Sequence, residues 1–466
     1  MNVLLIVYDN ESHISEFPLG IAYLAAVLEK EGHKVTIYNQ DIYHYPPEHL
    51  TKRLNRASYD IVGLSSISGY WQYKKVLETS KAVNKSCERK NFVYVLGGHM
   101  FTPEPEYFLR KTKADFVCMG EGEKTIVELC NVMDKVGWEN LKRVHGLAYL
   151  KDNKLFKTYN RKPIENLDDI PFPAWHLFDM NHYTLAPYPN SKHTDRTFPV
   201  LASRGCCFKC NFCYRMIPGI RFRSPENIVA EIKELKDKYH VNYIAFYDEL
   251  LMASPKRTTE ICNAIIKADL DIKWCCDGRL NFAKHEVLQL MKKAGCTFIN
   301  YGIESYDDEV LKNMNKQLTI SQIDVGLANT INEGISPGIN IIFGNYGDTE
   351  LTLLKGVKLI LQYTDYSQLR TIRPVTCYPG SELYYDAIRD GKLKDIKDFY
   401  EHKHINSDLI TINFTDMSDE DFYHLLYYYN KRLIIDYLNK QTKNYEKIMR
   451  KIYFEQDASF RGFRQT

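Results

Sequence analysis

Four cysteines are grouped in one short stretch, residues 203–215, which reads SRGCCFKCNFCYR. Cys206, Cys210 and Cys213 follow one another at intervals of four and three residues, and Cys207 adjoins the first of them. Thiolates at this spacing, on a glycine-containing loop after an apolar strand, can hold three corners of a four-iron cubane and leave the fourth iron open to a substrate. The sequence therefore predicts a [4Fe–4S] site built from these three residues.

A structural zinc site is the other chemistry that such cysteines could serve. Structural zinc takes four protein ligands, usually as two separated pairs, and no second C-x2-C pair occurs outside this stretch. An iron–sulfur cluster is therefore favoured over zinc. Cys207 is so close to Cys206 that both cannot easily reach one cluster, and we expect Cys207 to take no part in it.

The composition limits the kinds of partner and compartment. The 466 residues carry 61 Lys and Arg against 59 Asp and Glu, so the net charge of +2 creates no overall field for nucleic acid or anionic lipid. The longest apolar run is about half the ~20 residues of a membrane-spanning helix. The start, MNVLLIVYDNE, reads as a strand and not as a signal peptide. Twelve cysteines without a secreted disulfide spacing favour a reducing compartment, and we expect a cytoplasmic protein.

Residues 1–145 alternate short apolar runs with helical patterns. Nearly continuous apolar strands are typical of a parallel sheet covered by helices on both faces, so we predict an α/β, Rossmann-like, doubly wound domain. Its ligand should lie at the carboxyl ends of the strands. The small and polar residues at those ends are Ser65, Ser66, Gly97, Gly98, His99, Gly120 and Glu121. No G-x-G-x-x-G follows the first strand, which disfavours a nicotinamide or flavin dinucleotide.

The alternation is interrupted and then resumes. Residues 146–195 are a hairpin-like stretch followed by the Pro- and aromatic-rich NLDDIPFPAWHLFD, which indicates an ordered linker. Residues 196–390 contain six strand candidates, each followed by a helical pattern, and predict a partial (β/α)6 barrel with its site at the carboxyl ends of its strands. Residues 391–466 are polar, rich in tyrosine and helical in pattern, and we expect a small helical extension.

The cysteine spacing, with Phe212 directly before Cys213, resembles the signature of the radical S-adenosylmethionine enzymes. The block SRGCCFKCNFC is similar to the SRGCPFxCxFC form found where a cobalamin-binding domain precedes the barrel. Blocks from PLGIAYLAAVLEKEGHKV and VLGGHMFTPEPE to YGIESYDDEVLKNMNK and CYPGSELY extend the resemblance over nearly the whole chain. The resemblance implies that the open iron binds the methionine part of S-adenosylmethionine, whose cleavage yields a 5′-deoxyadenosyl radical.

The resemblance also assigns residues to S-adenosylmethionine. Asp248 and Glu249, after the second barrel strand, would accept hydrogen bonds from the methionine ammonium, although acids there also suit a helix start. The other implied contacts are Phe212 with adenine, Arg279 with the methionine carboxylate, Glu304 and Ser305 with the ribose hydroxyls, and Gly338 and Gly344 with the nucleoside through close backbone approach.

For the first domain, the family implies that Ser65, Ser66, Gly97, Gly98 and His99 bracket the nucleotide tail of cobalamin, with Gly120 and Glu121 at the next strand end. Other cobalamin proteins ligate cobalt from a D-x-H-x-x-G motif, which this chain lacks. Asp9 and His13 lie in the corresponding loop at the wrong spacing. We therefore expect no protein imidazole on cobalt, an arrangement that would favour methyl transfer.

The function implied is methylation of an unactivated carbon by a 5′-deoxyadenosyl radical and methylcobalamin. Cyclisation or rearrangement by the same cofactors is the alternative, and a non-catalytic corrinoid and iron–sulfur scaffold is a third. The substrate, whether a small molecule, a lipid or a peptide, is not indicated, and an electron donor such as flavodoxin or ferredoxin is implied. Arg370 and Arg373 could bind a substrate carboxylate or phosphate, whereas Cys275, Cys276 and Cys377 are expected in the core or a pocket wall.

Overall fold

The computed structural model describes residues 1–11, 15–46, 48–135 and 138–459. The first sheet has seven strands in the order β2-β1-β3-β4-β5-β6-β7. These strands are β1 Asn2–Val7, β2 Lys34–Asn39, β3 Ile61–Ser65, β4 Val93–Gly97, β5 Phe116–Cys118, β6 Leu147–Lys151 and β7 Lys154–Lys157. The first five are parallel, and β6 and β7 add an antiparallel hairpin to the β5 edge.

Helices cover both faces of this sheet. They are α1 Leu19–Lys30, α2 Gln40–Tyr43, α3 Glu48–Arg56, α4 Tyr70–Asn84, α5 Pro105–Thr112 and α6 Gly122–Lys135. Successive strand residues point to opposite faces, so Val3 and Leu5 pack with α1 and α6, while Leu4 and Ile6 pack with α3, α4 and α5. The predicted Rossmann-like, doubly wound domain is confirmed.

The stretch predicted as a linker has two parts. Its first part is the hairpin of β6 and β7, which belongs to the first sheet and pairs with the β5 edge. Its second part contains the short helix α7 (Met180–Tyr183) and packs between the sheets. The ring centroid of Phe17 lies 4.9 Å from that of Phe178 and 4.6 Å from that of Phe198. The first domain, the linker and the first strand of the second sheet therefore pack together through these rings.

The second sheet has six parallel strands in the order β8-β11-β12-β13-β14-β15, and β9 pairs with β10 in a separate ribbon. The strands are β8 Thr197–Val200, β9 Ser203–Cys206, β10 Gly219–Phe222, β11 Tyr243–Phe246, β12 Lys273–Gly278, β13 Cys296–Glu304, β14 Ser336–Phe343 and β15 Arg373–Pro374. The helices that follow are α8 Pro225–Tyr239, α9 Pro255–Ala268, α10 His285–Lys293, α11 Asp308–Asn313, α12 Ile320–Asn332 and α13 Glu350–Tyr363. Strands β8 and β15 do not pair with each other, so the barrel is partial, as predicted.

The last part of the chain is only partly helical. Helices α14 (Glu382–Arg389) and α15 (Ile396–Asp398) lead into a segment that packs on the first domain, where the rings of Tyr73 and Tyr400 stack at 4.8 Å. The long helix α16 (Asp419–Tyr453) then returns to the barrel, and Phe422 contacts Phe343 at 4.8 Å. Within the described residues, no helix combines the length and the apolar composition needed to cross a bilayer.

Candidate functional site

The cysteine loop connects the two strands of the small ribbon. Strand β9 ends at Cys206, and β10 begins at Gly219. Gly205 has φ +88°, and a Cβ there would lie 2.3 Å from the carbonyl oxygen of Gly219. Only glycine fits so close an approach with this backbone conformation, which explains the glycine directly before the first cysteine.

Neighbouring segments hold the loop in place. The Asn211 N–H donates to the Met314 carbonyl (3.1 Å), and the Leu383 N–H donates to the Asn211 carbonyl (2.9 Å). Asn315 Nδ2 donates to the Lys209 carbonyl (2.8 Å). These contacts come from the ends of α11 and α14, so barrel elements on two sides fix the loop that carries the cysteines.

The three predicted cluster ligands lie in this loop, and electrostatic interactions between them shift the pKa values of their thiols. Cys210 is buried, Cys206 is partly buried, and Cys213 retains accessible surface although protein surrounds it on most sides. Burial, and then the neighbouring Cys210 thiol, raises the pKa of Cys213 to about 12. Burial likewise raises the pKa of Cys206, and Cys207 adds to it. The thiols must therefore lose protons when they bind metal.

The donor set fits a cluster better than a single ion. No group of three His, Cys, Asp or Glu side chains among the described residues is gathered closely enough to hold one metal ion. A cubane places each thiolate on a different iron, so its ligands need not meet at one point. Cys207 and Cys213 are both exposed, so exposure does not separate them, and the absence of Cys207 from the cluster stays a prediction.

Arg279 lies beside the cysteine loop. Its guanidinium carbon is 3.5 Å from the centroid of the Phe208 ring, and it donates to the carbonyls of Lys316 and Gln317 (3.1 Å for the latter). Burial lowers the pKa of Arg279, and the nearby Cys210 thiol opposes that shift. The structure thus places Arg279, predicted to bind the methionine carboxylate, beside Cys210, a predicted cluster ligand. Two backbone carbonyls already accept hydrogen bonds from its guanidinium.

Asp248 and Glu249 are adjacent in sequence but differ in environment. Asp248 is buried, and it accepts hydrogen bonds from the Ala202 N–H (3.0 Å) and from the Ser203 hydroxyl. Burial raises its pKa to about 6. Glu249 is exposed, and its charge contributes to the raised pKa of Cys206. Asp248 therefore holds the chain that leads into the cysteine loop, and Glu249 is the carboxylate left near the thiols.

Glu304 ends β13 and lies close enough to Cys213 to raise the pKa of that thiol, and Ser305 follows directly. Glu304 has φ +71°, an uncommon conformation for a residue other than glycine. It accepts a hydrogen bond from Lys316 Nζ (2.8 Å), and that nitrogen lies 5.8 Å from the centroid of the Phe212 ring. The structure therefore brings together the predicted adenine and ribose residues, and it adds Lys316 as a cation between them.

Gly338 and Gly344 are required by packing within the protein. A Cβ on Gly338 would lie 2.4 Å from Asn300 Oδ1, and one on Gly344 would lie 2.9 Å from the Phe422 ring. These protein contacts are sufficient to require glycine at both positions, and the close approach to a nucleoside stays a prediction.

The predicted cobalamin residues at β3 and β4 form a tightly packed surface. Gly98 has φ +106°, and a Cβ there would lie 2.5 Å from the Ser66 carbonyl oxygen and 3.1 Å from Ser65 Oγ. The Ser66 N–H donates to the Gly97 carbonyl (3.0 Å). Burial lowers the pKa of His99, so its neutral form is favoured. The structure thus brings these five residues together at the ends of β3 and β4, and their contact with cobalamin stays a prediction.

Glu121, at the end of the next strand, pairs with two arginines of the cysteine ribbon. Glu121 is buried, and it accepts hydrogen bonds from Arg204 (3.1 Å), Arg221 (2.9 Å) and the Ile164 N–H (2.8 Å). Burial alone would raise the pKa of Glu121, but these partners hold it below its usual value. Its carboxylate therefore joins the first domain to the cysteine ribbon, and a place for Gly120 and Glu121 beside cobalamin stays a prediction.

The strand ends of the first sheet adjoin the cysteine loop. The ring of His99 lies 6.1 Å from that of Tyr214, the residue after Cys213, in an edge-to-face arrangement. Thr102 Oγ1 lies 3.6 Å from Met216 Sδ. The two predicted cofactor regions are thus neighbours. His13 lies outside the described residues.

Sequence reasoning missed a polar group inside the barrel. Asn300 Nδ2 donates to Asp277 Oδ1 (2.9 Å), and Asn340 Nδ2 donates to Asn300 Oδ1 (2.7 Å). Asp277 and Asn300 share strand faces with Cys275 and Phe298, which form a small core inside the barrel. Strand alternation around the apolar residues was the signal that could have shown it.

The residues suggested for an anionic substrate are engaged elsewhere. Arg370 donates to the Pro337 carbonyl and lies 3.7 Å from Asp365. Arg373 is exposed and pairs with Asp408 at 3.0 Å. Neither guanidinium group is therefore available inside the barrel. This corrects the expectation that Arg370 and Arg373 bind a substrate carboxylate or phosphate. Cys275, Cys276 and Cys377 are buried, as expected.

Comparisons with known proteins agree with this architecture. Residues 6–130 match the B12 binding domain, and residues 200–360 match the Radical SAM superfamily. An uncharacterised methyltransferase of Pyrococcus horikoshii is 30% identical over 84% of this chain and 84% of its own length. The anaerobic magnesium-protoporphyrin IX monomethyl ester cyclase of Rubrivivax gelatinosus is 26% identical over 83% of this chain and 69% of its own length.

Two solved structures share the fold. The cobalamin-dependent S-adenosylmethionine radical enzyme OxsB, with aqua-cobalamin and S-adenosylmethionine bound, gives a TM-score of 0.67 at 20% identity over 84% of this chain. The match spans 55% of OxsB, about half its length. The radical S-adenosylmethionine methyltransferase TsrM of Kitasatospora setae gives 0.67 at 15% identity over 84% of this chain and 75% of its own. The chain therefore belongs to the radical S-adenosylmethionine superfamily, in the group whose members carry an N-terminal B12-binding domain.

Proposed function

We propose that this protein is a cobalamin-dependent radical S-adenosylmethionine enzyme that methylates an unactivated carbon. The observation that carries the proposal is the contact between the strand ends of the first domain and the cysteine loop, seen at His99 and Tyr214 (6.1 Å). When bound, the cluster and S-adenosylmethionine supply a hydrogen-abstracting radical, and methylcobalamin supplies the methyl group. Both must reach one substrate carbon, so their sites must open into a shared space.

The cysteine loop and the barrel ends would bind the cluster and S-adenosylmethionine. Cys206, Cys210 and Cys213 would each bind one iron of the cluster. Glu249 is the exposed carboxylate near Cys206, and it would accept the charge-assisted hydrogen bonds of the methionine ammonium. Asp248 would support that role indirectly, because it holds Ala202 and Ser203.

The nucleoside would lie along the neighbouring strand ends. Glu304 and Ser305 would bind the ribose hydroxyls, and Phe212 would line the adenine. Lys316 already pairs with Glu304 at 2.8 Å, so the ribose would share that carboxylate with the lysine. Arg279 would stabilise the thiolate charge of Cys210 and could donate its remaining N–H groups to the methionine carboxylate.

The first domain would bind cobalamin through small residues and backbone. Ser65, Ser66, Gly97, Gly98 and His99 would bracket the nucleotide tail, without an imidazole ligand from this chain on cobalt. A larger side chain at Gly98 would meet Ser66, so this position keeps its shape only with glycine. Methylcobalamin held by these residues would supply the methyl group.

The substrate would bind inside the barrel beside the polar group of Asp277, Asn300 and Asn340. Its class, whether a small molecule, a lipid or a peptide, is open, and an electron donor such as flavodoxin or ferredoxin would reduce the cluster. We also propose a cytoplasmic location, because the cysteines are not spaced as in a secreted disulfide framework, which suits a reducing compartment.

The test is an anaerobic turnover experiment with methyl-labelled S-adenosylmethionine and extract of the host. Methylation uses one S-adenosylmethionine as the radical source and another as the methyl donor, so 5′-deoxyadenosine and S-adenosylhomocysteine should form in roughly equal amounts. The label should appear in one product by mass spectrometry. Deoxyadenosine without S-adenosylhomocysteine would instead support cyclisation or rearrangement, the reaction class named for the Rubrivivax relative.

A further inference from the structure

The ribbon that carries the cysteine loop is a two-stranded sheet separate from the barrel sheet. Strand β9 ends at Cys206, so the first predicted cluster ligand takes its position from this ribbon. An isolated pair of strands is at best marginally stable in water. The place of the cluster therefore depends on the contacts that the ribbon makes with the rest of the protein.

Two arginines face each other across the ribbon. Arg204 of β9 and Arg221 of β10 are direct partners in the antiparallel register. Like charges at directly opposite positions destabilise a strand pair, so these residues oppose the pairing that brings Cys206 to its place. The ribbon therefore needs an anion at this point, and neither of its strands contains Asp or Glu.

The first domain supplies the anion. Glu121 Oε1 accepts hydrogen bonds from Arg204 (3.1 Å) and from Arg221 (2.9 Å), so one carboxylate oxygen bridges the opposed guanidiniums. Glu123 Oε1 accepts a second hydrogen bond from Arg204 (2.6 Å). We call these four residues the ribbon clasp. The Glu121 side chain is only 4% exposed, so loss of one partner would leave a buried charge uncompensated.

Other groups close around the same contact. The guanidinium carbon of Arg204 lies 5.3 Å from the centroid of the Tyr23 ring in α1. Glu121 Oε2 accepts a hydrogen bond from the Ile164 N–H (2.8 Å), and Arg221 donates to the Ile164 carbonyl (2.6 Å). Helix α1, the loop after β5 and the segment after β7 therefore hold the ribbon together.

The ribbon clasp lies between the two predicted cofactor regions. Glu121 comes three residues after Cys118, the last residue of β5, and Cys118 is the strand partner of Gly97, a predicted cobalamin residue. On the other side, Arg204 precedes Cys206 by two residues. The clasp therefore connects a predicted cobalamin strand end to the first predicted cluster ligand.

We propose that the ribbon clasp fixes the separation between the iron–sulfur cluster and cobalamin, with Glu121 as the positioning residue. The inference rests on the proposed function, in which both cofactors act on one substrate carbon. A displaced ribbon would leave both cofactors bound but misaligned. Misplacement by about 1 Å can cost up to about 100-fold in rate, so methyl transfer should fail before cleavage of S-adenosylmethionine does.

The first test measures the separation without a substrate. The reduced cluster and cob(II)alamin are both paramagnetic, so pulsed electron paramagnetic resonance of the reconstituted full chain gives the distribution of their separation. We expect a narrow distribution in the unmodified protein and a wider one in Glu121→Gln, which keeps the side-chain size but removes the charge. The matched control is Glu128→Gln, whose carboxylate pairs with Arg161 instead of a ribbon residue, and it should keep the narrow distribution.

A double variant separates the clasp from general damage to the fold. In E121Q/R221Q the strand pair no longer carries like charges at opposite positions. We therefore expect it to recover part of the narrow distribution that Glu121→Gln loses, since residues in contact act non-additively. An equally wide distribution in both variants would show that Glu121 does not hold the opposed arginines in place, and would overturn the proposal.

Hydrogen exchange tests the ribbon without either cofactor. Amides of β9 and β10 should lose protection in Glu121→Gln, while those of α8 should not change. Cobalamin affinity should stay the same by titration. Loss of cobalamin binding with unchanged exchange in the ribbon would assign Glu121 to the cobalamin site and overturn the proposal.

The last measurement is the ratio of S-adenosylhomocysteine to deoxyadenosine during turnover. It should fall at least about tenfold in Glu121→Gln and stay unchanged in Glu128→Gln. A protein that is only less stable would lose both products together, so an unchanged ratio would overturn the proposal. Absence of S-adenosylhomocysteine from the unmodified protein would instead contradict methylation, and the separation and exchange measurements would still decide whether the clasp positions the cluster.

Discussion

The two sheets present their strand ends to a common region, but they do so with different chemistry. The first sheet offers small uncharged residues, and the close contact of Gly98 with Ser66 defines its shape. The second sheet offers charged side chains, among them Glu249 and the Glu304–Lys316 pair. The absence of large side chains therefore defines the surface of the first sheet. Charged side chains define the surface of the second.

The difference follows from the ligands proposed for each surface. A large corrinoid needs a broad surface that backbone and small side chains can supply, so steric changes should damage the first sheet most. A small zwitterion beside a metal cluster needs charge-assisted hydrogen bonds, so changes of charge should damage the second sheet most. Four predictions test this contrast, in order of decreasing effect.

The largest effect should come from the cysteine loop. Replacing Cys206, Cys210 and Cys213 together by Ala should reduce bound iron from about four per chain to none, because each thiolate holds one iron of the cubane. Deoxyadenosine formation should stop with it. Cys207→Ala is the matched control and should retain the iron. Iron analysis and absorption spectra after anaerobic reconstitution measure the cluster content of both variants. Zinc in place of iron in protein purified without air would contradict the iron–sulfur assignment.

A steric change should damage the first sheet. Gly98→Ala should cost about 2–4 kcal/mol in free energy of unfolding and weaken cobalamin binding, because the Cβ would meet the Ser66 carbonyl oxygen at 2.5 Å with φ at +106°. Gly120→Ala is the control: its φ is +83°, but nothing lies within 4 Å of the new Cβ. It should cost only the roughly 1–2 kcal/mol of backbone strain. Denaturant unfolding and cobalamin titration separate the two, and equal costs would show that shape does not govern this surface.

The adjacent acids of the second sheet should separate stability from binding. Asp248→Asn should lower the free energy of unfolding by about 1–3 kcal/mol, because an amide cannot accept both hydrogen bonds from Ala202 and Ser203. Glu249→Gln should leave stability unchanged and weaken S-adenosylmethionine binding by about tenfold, the worth of one charge-assisted hydrogen bond. Calorimetry of unfolding and of ligand binding measures the two. Weak binding in Asp248→Asn at full stability would reverse the assignment.

The smallest effect concerns the segment that covers the first domain. His404 is fully buried, and burial lowers its pKa to about 4. The unfolded chain, with an ordinary pKa of 6.5, binds the proton more readily, so stability is lost as pH falls from 6.5 towards 4. Between pH 7 and pH 5.5 the loss should be about 1 kcal/mol. His404→Phe should flatten this part of the pH profile in denaturant unfolding, and an unchanged slope would assign it to other groups.

The element types and their order could be predicted because each depends on local patterns. Apolar strands such as VLLIVY alternate with amphipathic helices, and the cysteine spacing lies within eight residues. These features need no knowledge of distant contacts. The same holds for Gly98 and its neighbours, which lie at the ends of consecutive parallel strands and must therefore meet.

The contacts that the sequence did not reveal are pairings between distant parts of the chain. Glu121 forms an ion pair with Arg204, and Gly344 packs closely against the Phe422 ring. Asp248 accepts a hydrogen bond from the Ala202 N–H. In each case a residue that could bind a ligand already contacts another part of the protein. The local sequence around the residue does not reveal that contact. The same reason hid the group of Asp277, Asn300 and Asn340, whose members come from three separate strands.

The packing of Tyr400 on Tyr73 has a consequence for the protein as it is made. The two rings are separated by 327 residues and yet stack at 4.8 Å, so part of the first domain's apolar face has no cover when that domain leaves the ribosome. At about 5–20 residues per second, the covering segment follows roughly 16–65 s later. During that interval a nascent chain with an open hydrophobic face is a natural client for chaperones. An isolated N-terminal fragment would keep this vulnerability permanently, so cobalamin binding should be measured on the full-length chain.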